Sequence, residues 1–341
     1  MFQAVGISDK TDVEREIWTG EAVATSAIEG EKLDLEAVRS SVMRRLGGED
    51  SGGRVDRNVD GLLDLMQDAT NSHREKLDDD RLKRWHSALF PGGTTGIRRI
   101  SAGQYRSTDE PMQIVSGPVG REAVHYEAPR SSDVPGEMGQ LLAWWEETRT
   151  SKQIDGIVRA AIAHLWFETI HPFEDGNGRV GRAIADMALA QDVGSPQRFY
   201  SLSRQLMTVR NAYYDSINAA QRGTLDITSW VSFFLEQFRL ACVTSQQVVE
   251  AAIVKSRFWA EHAQHTINDR QRKVVKRILD AGDGGFEGGM SAEKYGNLAG
   301  VSKATATRDL GELLKAGYLI ATGEGRATRY WVNVPGWSTG G

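Results

Sequence analysis

His171 to Arg182 read HPFEDGNGRVGR, and the residue types in this run suit chemistry at a phosphate. Gly176-Asn177-Gly178 is a glycine-rich turn placed to open a helix, where free backbone N–H groups and the positive end of the helix dipole make an anion site. Arg179 and Arg182, three residues apart, share a face near that end. Two guanidinium groups beside a backbone nest suit a polyphosphate. Asp175, just ahead of the nest, is placed to hold a Mg²⁺ ion that bridges phosphate oxygens. His171 is placed to take a proton from an incoming hydroxyl. Base, metal carboxylate, anion cradle and two arginines together describe nucleotidyl transfer. Phe173 carries no polar chemistry and reads as the anchor of the loop in the core.

GNGRVG also satisfies G-x-G-x-x-G, the fingerprint of dinucleotide-binding folds. That reading needs a β-strand ahead of the glycines. The segment ahead, GIVRAAIAHLWFETI (Gly156 to Ile170), is apolar on most faces and reads as a buried central helix. The context therefore argues against NAD.

The elements that must hold this run are mostly helical. Residues from about Thr11 to Gly47 carry a helical pattern, with Asp34 as an N-cap and Leu35, Val38, Val42 and Leu46 on one face. EDSGGRV, from Glu49, is a Gly/Ser loop. NVDGLLDLMQDATNS and DDDRLKRWHSALF read as two further helices. From Pro91 to Pro135 glycine and proline rise. Met112 to Val115 and Glu122 to Tyr126 form two short strand patterns around a Gly/Pro turn. Helices resume near Val134 and continue to about His265.

The run resembles the signature H-x-F-x-[D/E]-G-N-G-R-x-x-R of the Fic domain family, with all eight specified positions matched: His171, Phe173, Asp175, Gly176, Asn177, Gly178, Arg179 and Arg182. The resemblance spans roughly residues 20 to 240. It implies a mainly α fold, an all-helical core with a small β-hairpin flap. It also implies transfer of AMP from ATP to a Tyr, Ser or Thr hydroxyl of a target protein, with Mg²⁺ as cofactor. By that similarity His171 is the general base and Asp175 the metal ligand. Asn177 and the backbone of Gly176 and Gly178 cradle the α- and β-phosphates, Arg179 meets the β-phosphate, and Arg182 the γ-phosphate. The hairpin, about residues 110–128, resembles the family's flap, which clamps a target segment by strand addition, through Met112, Ile114, Val124 and Tyr126. GQYR, Gly103 to Arg106, resembles the stretch that leads into it. RNAYYDSINAA resembles the helix lining the nucleotide base, which makes Tyr213 and Tyr214 candidate adenine contacts.

TSAIEG resembles the family's inhibitory motif [S/T]-x-x-x-E-[G/N] through Thr25, Glu29 and Gly30. It implies that Glu29 pairs with Arg182 and keeps it from the γ-phosphate. The same glutamate is placed to assist removal of AMP, so the reverse reaction stands as an alternative. So does a different nucleotide donor, because the nest reads phosphates and not the base.

The end of the chain has the pattern of a winged helix-turn-helix. Ser291 to Ala299 is the first helix and Gly300-Val301 the turn. Ser302 caps a second helix through about Ala316, with Leu310, Leu313 and Leu314 inward, and Gly317 stops it. Tyr318 to Ile320 and Arg329 to Val332 are the wing strands. Lys303, Thr305, Arg308 and Arg326 are candidate DNA contacts. From Asp269 to Asn333 there are 11 Lys/Arg against 8 Asp/Glu, while the whole chain carries −5. A DNA-binding regulator with a nucleotide-sensing core is thus a rival to the enzyme, and a protein-docking or homodimerising module a rival to DNA binding.

The expected organisation is residues 1–50 as an N-terminal helical region, 51–240 as the catalytic core with its loop at 171–182, 241–268 as a linker helix and 269–335 as the winged helix. One cysteine, Cys242, excludes an internal disulfide and a multi-cysteine zinc site. No leader-like pattern opens the chain and no apolar run is long enough to span a bilayer. The expectation is a cytoplasmic protein acting on ATP and a protein target, self-modification included, and not on a membrane.

Overall fold

The computed structural model describes residues 7–47, 55–108, 111–116 and 123–339. The loop expected after Glu49 and the expected hairpin turn at 117–122 lie outside the described residues. The fold is mainly helical. Two compact units are formed, one of residues 11–246 and one of residues 247–339 together with residues 7–10.

The first unit opens with α1 (Ile7–Ile28) and α2 (Leu35–Arg45), then α3 (Arg57–Asn71) and α4 (Asp79–Leu89). The helical pattern expected from about Thr11 to Gly47 resolves into two helices, with Asp34 as the N-cap of the second, as the sequence indicated. The chain breaks because Gly30 adopts φ +84°, and Asp34 then caps α2 by accepting from the Glu36 and Ala37 N–H groups. A short hairpin, β1 (Thr94–Thr95) with β2 (Arg98–Arg99), was not expected from the sequence. Next comes the longer hairpin of β3 (Gln113–Ser116) and β4 (Ala123–Glu127). It is antiparallel, pairing Ile114 with Tyr126 and Val115 with Val124, with an irregularity between Ile114 and Val115. Five helices follow: α5 (Val134–Ser151), α6 (Gly156–Ile170), α7 (Asn177–Val193), α8 (Leu202–Thr208) and α9 (Arg210–Arg222).

α6 and α7 form the centre. Ala160, Ala161, Ala163, Phe167, Val180, Ala183 and Ala185 are fully buried or nearly so, and the alanines among them let the two backbones close on each other. Gly181 belongs to the same contact: a Cβ there would lie 2.6 Å from Glu168 Oε1. Trp18, Ala22, Ile28, Val38 and Val42 belong to this same core. Residues 11–47 are thus part of the first unit, and the boundary expected near residue 50 is not a domain boundary.

The linker helix expected at 241–268 is corrected as well. α10 runs unbroken from Thr228 to Glu261, since no Gly or Pro interrupts the sequence there. Beyond it the second unit contains α11 (Asp269–Asp280), α12 (Ala292–Ala299), α13 (Lys303–Lys315) and the antiparallel pair β5 (Leu319–Thr322) and β6 (Arg329–Val332). Its core gathers Val274, Ile278, Tyr295, Leu310, Leu313 and Leu319, with Phe258 from α10. The buried Asp309 takes two bonds from Arg270 and one from the Tyr295 hydroxyl. Leu314, expected inward, is 39% exposed, because it lies one position beyond the face that Leu310 and Leu313 bury.

Candidate active site

The turn between α6 and α7 is built around His171. It caps α6 in the left-handed region, at φ 49°, a conformation that costs a residue with a side chain about 1–2 kcal/mol. Arg106 holds it there. This buried guanidinium donates from Nε to the His171 carbonyl at 2.9 Å and from Nη2 to that of Ile170 at 3.3 Å. Its other bonds reach the Pro129 carbonyl and Ser131 Oγ just after the flap. Arg106, the last residue of GQYR, thus ties the flap's exit to the histidine turn. Burial pushes the His171 imidazole down to about 4, so at neutral pH it is an uncharged base.

Phe173 is fully buried and stacks on His86 with ring centroids 4.1 Å apart, a burial that stabilises the loop by roughly 1.5–3 kcal/mol. His86 accepts from the Gly103 N–H at Nδ1 and lies 3.1 Å from the Asp175 carbonyl at Nε2. Burial pushes its imidazole down to about 4, and its neutral form carries the proton on Nε2. Asn177 is buried too. Its side chain accepts from the Phe173 N–H at 2.9 Å and donates to the Phe173 carbonyl at 2.8 Å. This corrects the expectation for Asn177: its amide shapes the loop, which leaves its backbone N–H for an anion.

Asp175 is half-exposed at the mouth of the nest, accepting from the Gly176 N–H. Among the described residues no three His, Cys, Asp or Glu side chains converge into a metal cage. A Mg²⁺ ion held by one carboxylate and completed by substrate phosphates needs none, so the single carboxylate fits that group.

Both arginines already have carboxylate partners. Arg182, on the first turns of α7, is almost wholly buried and meets Glu29 Oε1 at 2.7 Å. It also donates to the Thr25 hydroxyl at 2.8 Å and the Thr25 carbonyl at 2.9 Å. Burial opposes its charge, yet Glu29 beside it holds the guanidinium more firmly charged than in water. Arg179 meets Glu31 Oε2 at 2.7 Å. Burial pushes the Glu31 carboxyl up against the pull of Arg179. Arg182 Nη1 and Arg179 Nε are buried without a hydrogen-bond partner, unspent donors at the end of a helix. Gly178 makes room for this pairing: a Cβ would fall 2.1 Å from Glu29 Oε1. The remaining carbonyl at the end of α1, that of Ile28, accepts from Arg210 Nε at 2.7 Å and the Tyr214 hydroxyl at 3.1 Å.

Thr25, Glu29, Arg179, Arg182 and Tyr214 are thus brought together with the nest. Gly30 lies just after α1 with φ +84°, so its part is in the turn. Tyr213 is core: it is 1% exposed and its hydroxyl bonds His164 Nε2 at 2.8 Å. Of the flap residues, Met112, Ile114 and Tyr126 are half-buried, and the side chain of Val124 lies outside the described residues. In the second unit Lys303 and Arg308 are exposed on α13. Thr305 is half-buried against Ser302 at its cap, and the side chain of Arg326 lies outside the described residues. Sequence reasoning missed Glu31, His86 and Glu168. Only Glu31 left a signal, as the second acid of EGE.

Residues 76–189 match the family model described as Fic/DOC family, and residues 1–47 match one described as a domain of unknown function (DUF4172). The chain is similar to a probable protein adenylyltransferase of Aquifex aeolicus, 30% identical over 99 residues, which are 29% of this chain and 28% of that protein. It is similar to the protein adenylyltransferase fic-1 of Caenorhabditis elegans, 35% identical over 81 residues, 24% of this chain and 15% of that one. The chain therefore spans under a third of these relatives' own length. Among solved structures it resembles a Fic family protein of Desulfovibrio desulfuricans G20, with TM-score 0.52 and 22% identity over 94% of this chain and 87% of the other. It also resembles a Fic domain containing signaling protein of Bacteroides thetaiotaomicron, with TM-score 0.54 and 16% identity over 74% and 91%. At these identities the likeness is one of fold. No helix among the described residues is long and apolar enough to cross a membrane.

Proposed function

We propose, from the match of residues 76–189 to the Fic/DOC family model, that this chain transfers AMP from ATP to a protein hydroxyl and is held at rest by its own N-terminal segment. The observation that carries this reading is the pairing of both phosphate-binding arginines with carboxylates of one turn, Glu29 on Arg182 and Glu31 on Arg179.

In the released state Arg179, Arg182 and the N–H groups at the start of α7 take the β- and γ-phosphates. Asp175 would hold Mg²⁺, which neutralises phosphate charge when bound. His171, neutral at pH 7, takes the proton of the target hydroxyl as its oxygen attacks the α-phosphorus. The bond to the β-phosphate breaks and pyrophosphate leaves on the two arginines. The protein supplies position and charge stabilisation, each contributing about 10²-fold or more to such a reaction. The flap offers β3 or β4 for main-chain pairing with the target. Tyr214, released from Ile28, is the residue placed to meet the base.

The test is Glu29→Gly incubated with labelled ATP or UTP and Mg²⁺, with modified residues read by mass spectrometry. AMP on this chain or an added protein, absent in wild type and in Glu29→Gly/His171→Ala, supports the reading. Equal labelling by wild type and Glu29→Gly would sink the brake. UMP labelling would change the donor, and loss of AMP from a pre-modified chain would reverse the direction.

For the second unit, the order α11, α12, α13, β5, β6 favours the winged helix reading, with α13 as the DNA-facing helix. Its exposed Lys303 and Arg308 predict duplex binding that weakens steeply with salt. Binding insensitive to salt, or lost with neither Lys303→Ala nor Arg308→Ala, would leave protein docking as its role.

A further inference from the structure

Beneath the nest lies an acid to which this chemistry assigns nothing. Glu168 sits in the last turn of α6, almost wholly buried, and its Oε1 has no hydrogen-bond partner. Its Oε2 lies 3.9 Å from Nδ1 of His171, a buried atom with no side-chain partner, whose ring faces the backbone carbonyl of Glu168 itself. Oε1 of the carboxyl and Nδ1 of the imidazole are both shut off from water without a side-chain partner, an expensive arrangement unless the carboxyl and the ring meet in another state. The backbone favours such a meeting. His171 is fixed in the left-handed region by Arg106, so its ring turns back along the helix toward the residue three before it.

We propose that Glu168 is a positioning residue for His171: as a carboxylate it accepts the His171 Nδ1–H, leaving Nε2 free for the hydroxyl proton and balancing the imidazolium that forms. No proton moves to Glu168 in this step. It stays on Nε2 of the histidine until the product departs. The proposal rests on the reading of His171 as the base.

Several charged and titratable groups face the pair. His164 comes from α6, Arg182 from α7, Tyr213 and Tyr214 from α9, and Glu29 from the turn after α1. Arg106 and Asp175 act on the histidine side. At rest, burial pushes the Glu168 carboxyl up to about 8, and the charge of Glu29 adds to it while Arg182 opposes. A proton on Glu168 fits the open 3.9 Å gap of the resting state. Removing Glu29 removes a like charge and leaves Arg182, so Glu168 ionises more readily and the gap can close.

The experiment compares Glu29→Gly with Glu29→Gly/Glu168→Gln. Side-chain NMR of the seven histidines is recorded across pH, with His171 assigned by its loss in His171→Ala. The expected result is the Nδ1–H tautomer in Glu29→Gly and a His171 pKa lower by about one unit in the Gln variant. The rate of AMP transfer should fall about tenfold with little change in KM for ATP. An unchanged His171 pKa overturns the proposal, provided the other six histidines keep their shifts. Should the Gln variant not fold, Glu168→Asp keeps the charge but withdraws it, and a smaller drop is expected. Absence of AMP transfer in Glu29→Gly would count against the adenylyltransferase reading, while the NMR comparison would still decide the Glu168–His171 pair.

Discussion

α1 meets the catalytic core through two glutamates with very different surroundings. Glu21 is 1% exposed and pairs with Arg198 at 3.1 Å. It also accepts from Ser201 Oγ at 2.8 Å, the Ser203 N–H at 3.0 Å and the Ser203 hydroxyl. Arg198 in turn reaches Asp186 at 2.7 Å. Glu29 has one guanidinium partner and a side chain 27% exposed. The chemistry is the same in both places, a carboxylate on a buried arginine. What differs is how many bonds must break together and how far water can reach. The first is an anchor, because stripping a partner from a buried network leaves a charge with nowhere to go. On the proposed function the second would serve as a latch, because water can take over the carboxylate as it leaves.

This contrast can be broken in order of effect. Glu21→Ala should destabilise the fold by about 3–5 kcal/mol, measured by denaturant unfolding. A loss no larger than that of Glu29→Gly would erase the distinction. Glu29→Gly should raise AMP transfer roughly 10²-fold, the worth of one charge-stabilising group, with an unfolding midpoint close to wild type. Glu31→Gln added to Glu29→Gly should raise the rate about threefold to tenfold more, chiefly through KM for ATP, since it frees Arg179 but breaks a half-exposed pair. No further change would make Glu31 a surface acid.

The smallest effect is on stability against pH. His86 and His171 have imidazoles held down to about 4 and His164 to about 3. The unfolded chain takes up protons on these residues first, so their contribution is present above pH 6.5 and is lost as pH falls toward 4. Glu168 works the other way: its carboxyl, raised to about 8, favours the fold below pH 4.5 and loses that contribution as pH rises to 8. Thermal midpoints should peak near pH 6.5 and fall on both sides. Glu168→Gln should flatten the alkaline limb and His164→Gln part of the acid limb. Burial also raises the Asp186 carboxyl, to about 7, so a fall from pH 7 to 8 as steep in Glu168→Gln as in wild type would remove Glu168 from the balance.

The catalytic loop was legible because its chemistry is contiguous: His171, Asp175, the glycines and both arginines lie within twelve residues. Helix starts were legible for a similar reason, since Asp34, Ser291 and Ser302 cap the residues directly after them. What escaped depends on distant partners. His86 meets Asp175, Arg106 meets His171, and Glu31 meets Arg179; local sequence can mark Glu31 as a second acid and Arg106 as the end of GQYR, but not the partner of any of the three. Asn177 was misread for the converse reason. A polar side chain in a phosphate loop looks like a ligand contact until the backbone of Phe173 is seen to occupy it. The Leu310–Leu313–Leu314 stripe failed at its edge, where a helical face ends within one residue.

The missing side chain at Gly178 has a further consequence. On the proposed function, that gap admits either a tethered carboxylate or a phosphate, and Glu29 would act as a resident competitor of the nucleotide. Its local concentration is fixed by a covalent link and stands on the order of millimolar or above. Nucleotide must win the site against it, so apparent affinity equals intrinsic affinity scaled by the fraction of molecules with the turn released. Any partner that gripped that turn would tune the enzyme's sensitivity to ATP without touching a catalytic group.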